Sequence, residues 1–187
     1  MRHWFSSGQR QPRLAGGGYS QPLAAAAFLR DVAGIPGDTR VWLPPTAIDV
    51  PSIDTPTPPA DVWDTVTARL LDQPYGATAA ATDPLAAADA RWRDVVAQTT
   101  EHLRRFVSDA KRDIYRQLVP LILQVRSNPI VRKPTSSGQR LTVAAVPGDA
   151  DGAAVHRYNA TLLVTVGALD DPDTCCQQLL AEFESAE

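Results

Sequence analysis

The chain has few of the residues that usually carry covalent cross-links or catalysis. Its 187 residues include two cysteines and three histidines, and aromatic residues make up 6%. The cysteines, Cys175 and Cys176, are adjacent, so they cannot join distant segments of the chain, and a disulfide between them would be strained. We interpret them as small apolar helix residues, one of them buried, in a protein of a reducing compartment.

A long apolar run is also missing. No stretch approaches the ~20 apolar residues that a membrane-spanning helix needs. The start of the chain passes directly into Ser, Gly and Gln, without the apolar stretch and cleavage site of a signal peptide. We therefore expect no membrane partner, and a cytoplasmic location, or a virion if a phage encodes the chain.

Motifs that would indicate catalysis are not found. None of the three histidines has a second histidine or a cysteine at metal-ligand spacing. Asp149–Gly152 begins like a calcium loop, but Ala160 occupies the twelfth position, where that loop needs a glutamate. Gly16–Gly18 is not followed by Gly-Lys-Ser/Thr, and no Gly-x-Ser-x-Gly is present. We therefore expect no cofactor, no metal and no enzymatic activity.

Proline, by contrast, is abundant and concentrated near the N-terminus. Ten of the 16 prolines lie between Pro12 and Pro74. Because proline fixes φ and has no N–H, the tract 44–59 is predicted to be extended, following a short strand at 40–43. A plain linker would be polar, whereas this tract carries apolar side chains that need a surface. They pack either on their own domain or on a neighbouring subunit, and the candidate partner-binding residues are Trp42, Ile48, Val50 and Ile53.

Charge is small in total but segregated along the chain. The net charge is −3, and successive blocks carry +3 (1–40), −5 (41–83), +6 (84–140) and −7 (141–187). Such segregation suits pairing within the chain, pairing between subunits, or an anionic partner for the basic block. The last part of that block, 126–140, is a predicted loop without acids. Its candidates for binding an anion or a nucleic acid are Arg126, Arg132, Lys133 and Arg140.

Helices are predicted along most of the chain. Caps at Ser20 and Gly34 predict a helix at about 21–33, and a further apolar pattern predicts one at about 59–72. Asp83-Pro84 then indicates the start of a long helix, with one apolar face over about seven turns. Its apolar face consists of Trp92, Val96, Thr99, Leu103, Phe106, Ala110, Ile114 and Leu118. Proline at position 120 should end or kink this helix.

The C-terminal part is predicted to contain a β-hairpin and a helix. Strands at about 140–146 and 156–166 form the hairpin, and a helix follows at about 172–184, capped by Asp171. A two-stranded hairpin is marginal alone, so it needs the long helix on one face. The fold class is therefore α+β: a long central helix packed on a small antiparallel hairpin or sheet, plus a C-terminal helix and an extended proline-rich N-terminal arm.

These features predict the domain organisation of the chain and a role in a protein assembly. We expect a flexible basic tail (1–20), a short helix with the proline-rich arm (21–58) and an α+β core (59–187). The arm, the charge blocks and the small sheet favour a structural subunit that binds copies of itself and adjoining proteins. A phage head–tail connector or tail-end ring protein is an example. The alternative is a nucleic-acid-associated accessory or regulatory protein that uses the basic block 84–140.

Overall fold

The computed structural model describes residues 13–36, 40–46, 53–132, 140–148 and 155–185, and these form an α+β fold. The predicted fold class and the long central helix are confirmed. A single-turn 3₁₀ helix at Gly167–Asp170 precedes the last helix. In chain order the other elements are β1 (Leu14–Tyr19), α1 (Gln21–Val32), α2 (Ala60–Asp72), α3 (Ala79–Ala88), α4 (Ala90–Ser127), α5 (Pro129–Arg132), β2 (Leu141–Val146), β3 (Val155–Tyr158), β4 (Thr161–Thr165) and α6 (Pro172–Ser185).

The sheet has four strands in the order β1-β2-β4-β3. β1, β2 and β4 are parallel, and only β3 runs antiparallel to its neighbour β4. The predicted hairpin of strands 140–146 and 156–166 is therefore wrong, because β2 pairs with β4 in parallel. The segment 156–166 is itself two strands, β3 and β4, which pair antiparallel. They are joined by a two-residue turn at Asn159, whose φ of 50° is a left-handed conformation that asparagine tolerates. β4 lies between two neighbours and is buried throughout, which explains why its apolar residues do not alternate with polar ones.

Residues 13–20, which the sequence assigned to a flexible tail, form an edge of this sheet. β1 pairs with β2 from Leu14 to Tyr19, and Leu14 and Tyr19 are buried. Gly17 allows a close approach, because a Cβ there would overlap the side chain of Ile122 on α4. The boundary of the predicted tail is therefore wrong, and β1 belongs to the core.

Helix α1 is a central element of the core. Its predicted caps are confirmed: the backbone N–H of Leu23 donates to Ser20 Oγ, and Gly34 follows the helix with φ 66°. Ile35 N–H donates to the Arg30 carbonyl and Gly34 N–H to the Asp31 carbonyl, which closes a Schellman motif. The alanines in the middle of the helix are fully buried, so α1 packs closely against α2, α3 and α4.

The long helix differs from the prediction at both ends. Asp83-Pro84 lies inside α3, and α4 begins after Asp89, whose carboxylate accepts the N–H of Arg91 at 2.8 Å. At the other end, α4 continues through Pro120 to Ser127. Proline removes one hydrogen bond, and the buried apolar side chains around it hold the helix in place. The residues buried in this half of α4 are Ile114, Leu118, Leu121, Ile122 and Val125.

The helices cover both faces of the sheet. On one face, Thr161 Oγ1 of β4 donates to the Leu71 carbonyl of α2. On the other, Arg157 of β3 pairs with Glu182 of α6 at 3.4 Å. α6 confirms the predicted C-terminal helix and its Asp171 cap, which accepts the N–H of Thr174. Among the described helices, none combines the length and apolarity needed to cross a bilayer.

Candidate interaction surface

On its N-terminal side, the proline-rich tract is held on its own domain by hydrogen bonds. The guanidinium of Arg30 donates to the carbonyls of Leu43 and Pro44. Thr46 donates both its N–H and its hydroxyl to Asp31 Oδ2, each at 2.7 Å. These contacts hold 43–46 against the C-terminal end of α1. The predicted strand at 40–43 is not formed there, because its residues bind side chains instead of a sheet edge.

On its C-terminal side, the tract is also held on its own domain by hydrogen bonds. Gln98 of α4 accepts the N–H of Asp54 at 3.3 Å and donates to Thr55 Oγ1 at 2.7 Å. Ile53 is partly buried against the core. Both described flanks of the tract therefore contact their own domain, and residues 47–52 between them lie outside the described residues.

The candidate partner-binding residues in and beside the tract differ in what the structure shows of them. The Trp42 ring packs on His156 of β3 with 4.1 Å between ring centroids, and its carbonyl accepts the hydroxyl of Tyr158 at 3.0 Å. Trp42 is accordingly half-buried in its own chain. Ile48 and Val50 lie outside the described residues.

The predicted loop at 126–140 is mostly helical in its described first part: Arg126 lies in the last turn of α4, and Arg132 ends α5. Arg126 and Arg132 are exposed, and Arg132 Nε donates to the Arg126 carbonyl at 3.3 Å. Arg140 is half-buried, and its guanidinium donates to the Leu14 carbonyl of β1. Lys133 lies outside the described residues.

A surface that the sequence did not predict runs along the C-terminal half of α4. Tyr115, Val119 and Leu123 are 40%, 47% and 60% exposed, and their spacing of four residues places them in one row. With Tyr75, which is 43% exposed, they are the large hydrophobic side chains that the described structure leaves exposed. We call these four residues the α4 stripe.

Tyr75 connects the stripe to the sheet. Its ring lies over the glycines of β1: a Cβ on Gly18 would be 3.4 Å from the Tyr75 ring and 3.9 Å from the Tyr115 hydroxyl. The Tyr75 hydroxyl donates to the Val143 carbonyl at 2.5 Å. Burial, and to a lesser extent the neighbouring Tyr115, raises the pKa of Tyr75 well above its usual value. The two tyrosines are therefore adjacent, and the hydroxyl of Tyr75 is anchored on β2.

The rim of the stripe is basic. Arg112, Arg116 and Arg126 are exposed on the same side of α4 as Val119. Arg112 has Asp113 beside it at 3.5 Å, with both side chains well exposed, so this pair contributes little. The surface thus combines rigid aromatic and aliphatic groups with an excess of positive charge.

The sequence contained a signal for this surface. Tyr115, Val119 and Leu123 each follow a residue of the buried row, so the apolar part of α4 is wider here than the ~100° that packing on one core needs. A second apolar row of this kind indicates a second contact surface.

One kind of catalytic site, a metal centre, is not seen in the described parts of the chain. They contain no group of three or more His, Cys, Asp or Glu side chains that could hold a metal ion. A cleft of about 800 Å³ lies along α2, and its lining includes Asp61, Asp64 and Arg69. Asp64 already accepts the N–H of Val41.

The cysteines give a direct test of the core. Both are buried, whereas the sequence predicted one. Burial raises the pKa of Cys175 to about 11 and raises that of Cys176. At pH 8 only about one Cys175 thiol in a thousand is then the reactive thiolate. We expect a thiol reagent such as Ellman's to label neither cysteine in the native protein, and both in denaturant. Rapid labelling of the native protein would contradict the packing of α6.

No known protein family, curated protein or solved structure matches the chain.

Proposed function

We propose that this chain is a non-enzymatic subunit of a protein assembly, and that the α4 stripe is the surface through which it binds other subunits. The observation that supports this is the clustering of the exposed large hydrophobic residues in one place. Single exposed apolar residues are ordinary, but a contiguous apolar patch with a polar rim is typical of a binding site. Tyrosine and arginine are also enriched at interfaces.

The packing that holds the α4 stripe in place supports the same proposal. Helix α4 packs on the core along its length through buried side chains from Trp92 to Val125. Tyr75 is fixed by its hydrogen bond to β2. A partner that docks on such a surface does not have to order it, so less of the binding energy is lost as conformational entropy.

For the specific assembly, we propose a ring-forming part of a phage particle, such as a head–tail connector or tail-end ring protein. This more specific proposal rests on an analogy, because a protein of that kind would suit the segregated charge and the proline-rich tract of the sequence. The proposed surface does not depend on it.

The double variant Val119→Asp/Leu123→Asp tests the surface. We expect the wild-type chain to have a native mass that is a discrete multiple of 20.2 kDa, and the variant to be a monomer at micromolar concentration. The reason is that the two carboxylates would have to be desolvated in the interface. The measurement is light scattering after size exclusion, with the 260/280 nm absorbance ratio recorded.

A matched control adds the same charge to the same helix. Gln117 and Gln124 are exposed on α4, away from the stripe, so Gln117→Asp/Gln124→Asp should assemble like the wild type. A monomeric wild type, or an aspartate pair on the stripe that leaves the mass unchanged, would refute the proposal. A nucleic-acid-like absorbance ratio would favour the nucleic-acid alternative instead.

A further inference from the structure

We infer that the α4 stripe binds helix α6 of a second copy of this chain, so that copies join head to tail. This inference rests on the proposed function and names the partner of the proposed surface. It follows from the charge on the rim of the stripe, from the surface of α6, and from the spacing of charges along the two helices.

The rim argues against pairing of the stripe with itself. In an antiparallel two-fold contact centred on Val119, Arg112 of one copy would face Arg126 of the other, because each lies seven residues from the centre. Like charges placed opposite each other destabilise such a contact and disfavour that orientation. A surface with acidic groups around an apolar centre would suit the stripe better.

Helix α6 has such a surface. Asp173, Gln177 and Glu184 are exposed on one side of the helix, and the half-buried Leu180 lies between them. Residues 141–187 carry eight acids and a single base, Arg157, which pairs with Glu182. The outward side of α6 is therefore acidic, and its apolar centre is the part of Leu180 that does not pack on the core.

The spacing of the charges agrees along the two helices. Arg116 and Arg126 are ten residues apart, or about 15 Å at 1.5 Å per residue, with Val119 and Leu123 between them. Asp173 and Glu184 are eleven residues apart, or about 16.5 Å, with Leu180 between them. Two bases on one helix can thus meet two acids on the other while their apolar residues are in contact.

Neither set of charges is paired with the other inside one chain. The described ion pairs of α4 and α6 are formed with near neighbours or with β3, and none joins α4 to α6. A contact between two different surfaces is heterologous when the two copies do not make it to each other reciprocally. Repetition of a heterologous contact closes into a ring or extends as a filament, according to the rotation between copies.

The test exchanges the charges of the two helices. Arg116→Glu/Arg126→Glu and Asp173→Arg/Glu184→Arg should each raise the concentration needed for assembly by at least about 30-fold. The chain that carries all four changes should assemble to within about threefold of the wild type, because the pairs are restored with opposite sign. Asp171 is left unchanged, since it caps α6.

Arg69→Glu/Arg93→Glu is the matched control. It lowers the net charge by the same amount as Arg116→Glu/Arg126→Glu, but at exposed positions on α2 and at the start of α4, and it should assemble like the wild type. Thermal unfolding followed by circular dichroism verifies that each variant is folded. Light scattering over a range of concentrations gives the assembly midpoints.

The outcomes separate this inference from the proposed function. If the acid-to-arginine variant assembles normally, or if the four changes together do not restore assembly, α6 is not the partner. The stripe would still be the binding surface, provided that Val119→Asp/Leu123→Asp is monomeric. If that aspartate variant assembles normally, the proposed function and the inference both fail.

Discussion

Replacement of Gly148 by alanine should lower the free energy of unfolding by about 3–5 kcal/mol. Gly148 has φ 128°, a conformation that residues with a side chain rarely adopt. A Cβ there would lie 2.6 Å from Pro44 Cβ and 2.7 Å from the Pro45 carbonyl oxygen. That backbone cannot easily move away, because Arg30 and Asp31 hold the residues on either side of Pro45. Urea unfolding followed by tryptophan fluorescence measures the loss.

Gly34→Ala is the control for this prediction. Gly34 also has a positive φ, of 66°, but a Cβ there would meet no atom within 4 Å. Its replacement should cost only the conformational strain, about 1–2 kcal/mol. Equal losses at the two glycines would show that the contact with Pro44 and Pro45 is not rigid, and that this end of the tract is loosely held.

The elements that the sequence predicted well are those with local signals. Ser20 and Gly34 cap α1, and Asp171 caps α6, because each cap depends on residues within one turn of the helix end. The core-facing side of α4 was also predictable in outline, because side chains that repeat every three to four residues face one side of any helix. Five of its eight predicted residues are buried, and the other three are half-buried.

Strand β1 could not be predicted in the same way. Gly16–Gly18 has low strand propensity and no alternation of polar and apolar residues. These residues are a strand because β2 pairs with them, and because Ile122 and Tyr75 occupy the space that side chains would have filled. All three partners are more than 50 residues away in sequence, so the reason for the strand is tertiary.

The prolines inside helices show the limit of a local rule. Pro84 lies within α3 and Pro120 within α4, although either would normally mark a helix boundary. Each proline removes one backbone hydrogen bond, and the burial of Leu85 and Leu121 beside them offsets that loss. Which of the two apolar rows of α4 remains exposed likewise depends on where α1, α6 and the sheet pack, so the second row could be read from the sequence but its exposure could not.

Replacement of Arg30 by methionine should lower the free energy of unfolding by about 3–5 kcal/mol. Arg30 is 3% exposed, and its guanidinium binds Asp31 and the carbonyls of Leu43 and Pro44 while lying 5.9 Å from the Trp63 ring centre. Methionine fills a similar volume but leaves both carbonyls without a donor and Asp31 without its cation. Urea unfolding measures the stability of the variant, and limited proteolysis at 43–55 reports release of the tract.

Arg30→Lys separates the charge of Arg30 from its geometry. An ammonium group is a point charge on a flexible stem, and it cannot hold a carboxylate and two carbonyls with the planar, forked geometry of a guanidinium. Lysine should therefore recover less than half of the stability lost in the methionine variant, with proteolysis still faster than in the wild type. If lysine restored full stability, charge alone would hold the tract. If methionine had no effect, the tract would be held by its proline contacts, and Arg30 would not be the residue that joins it to α1.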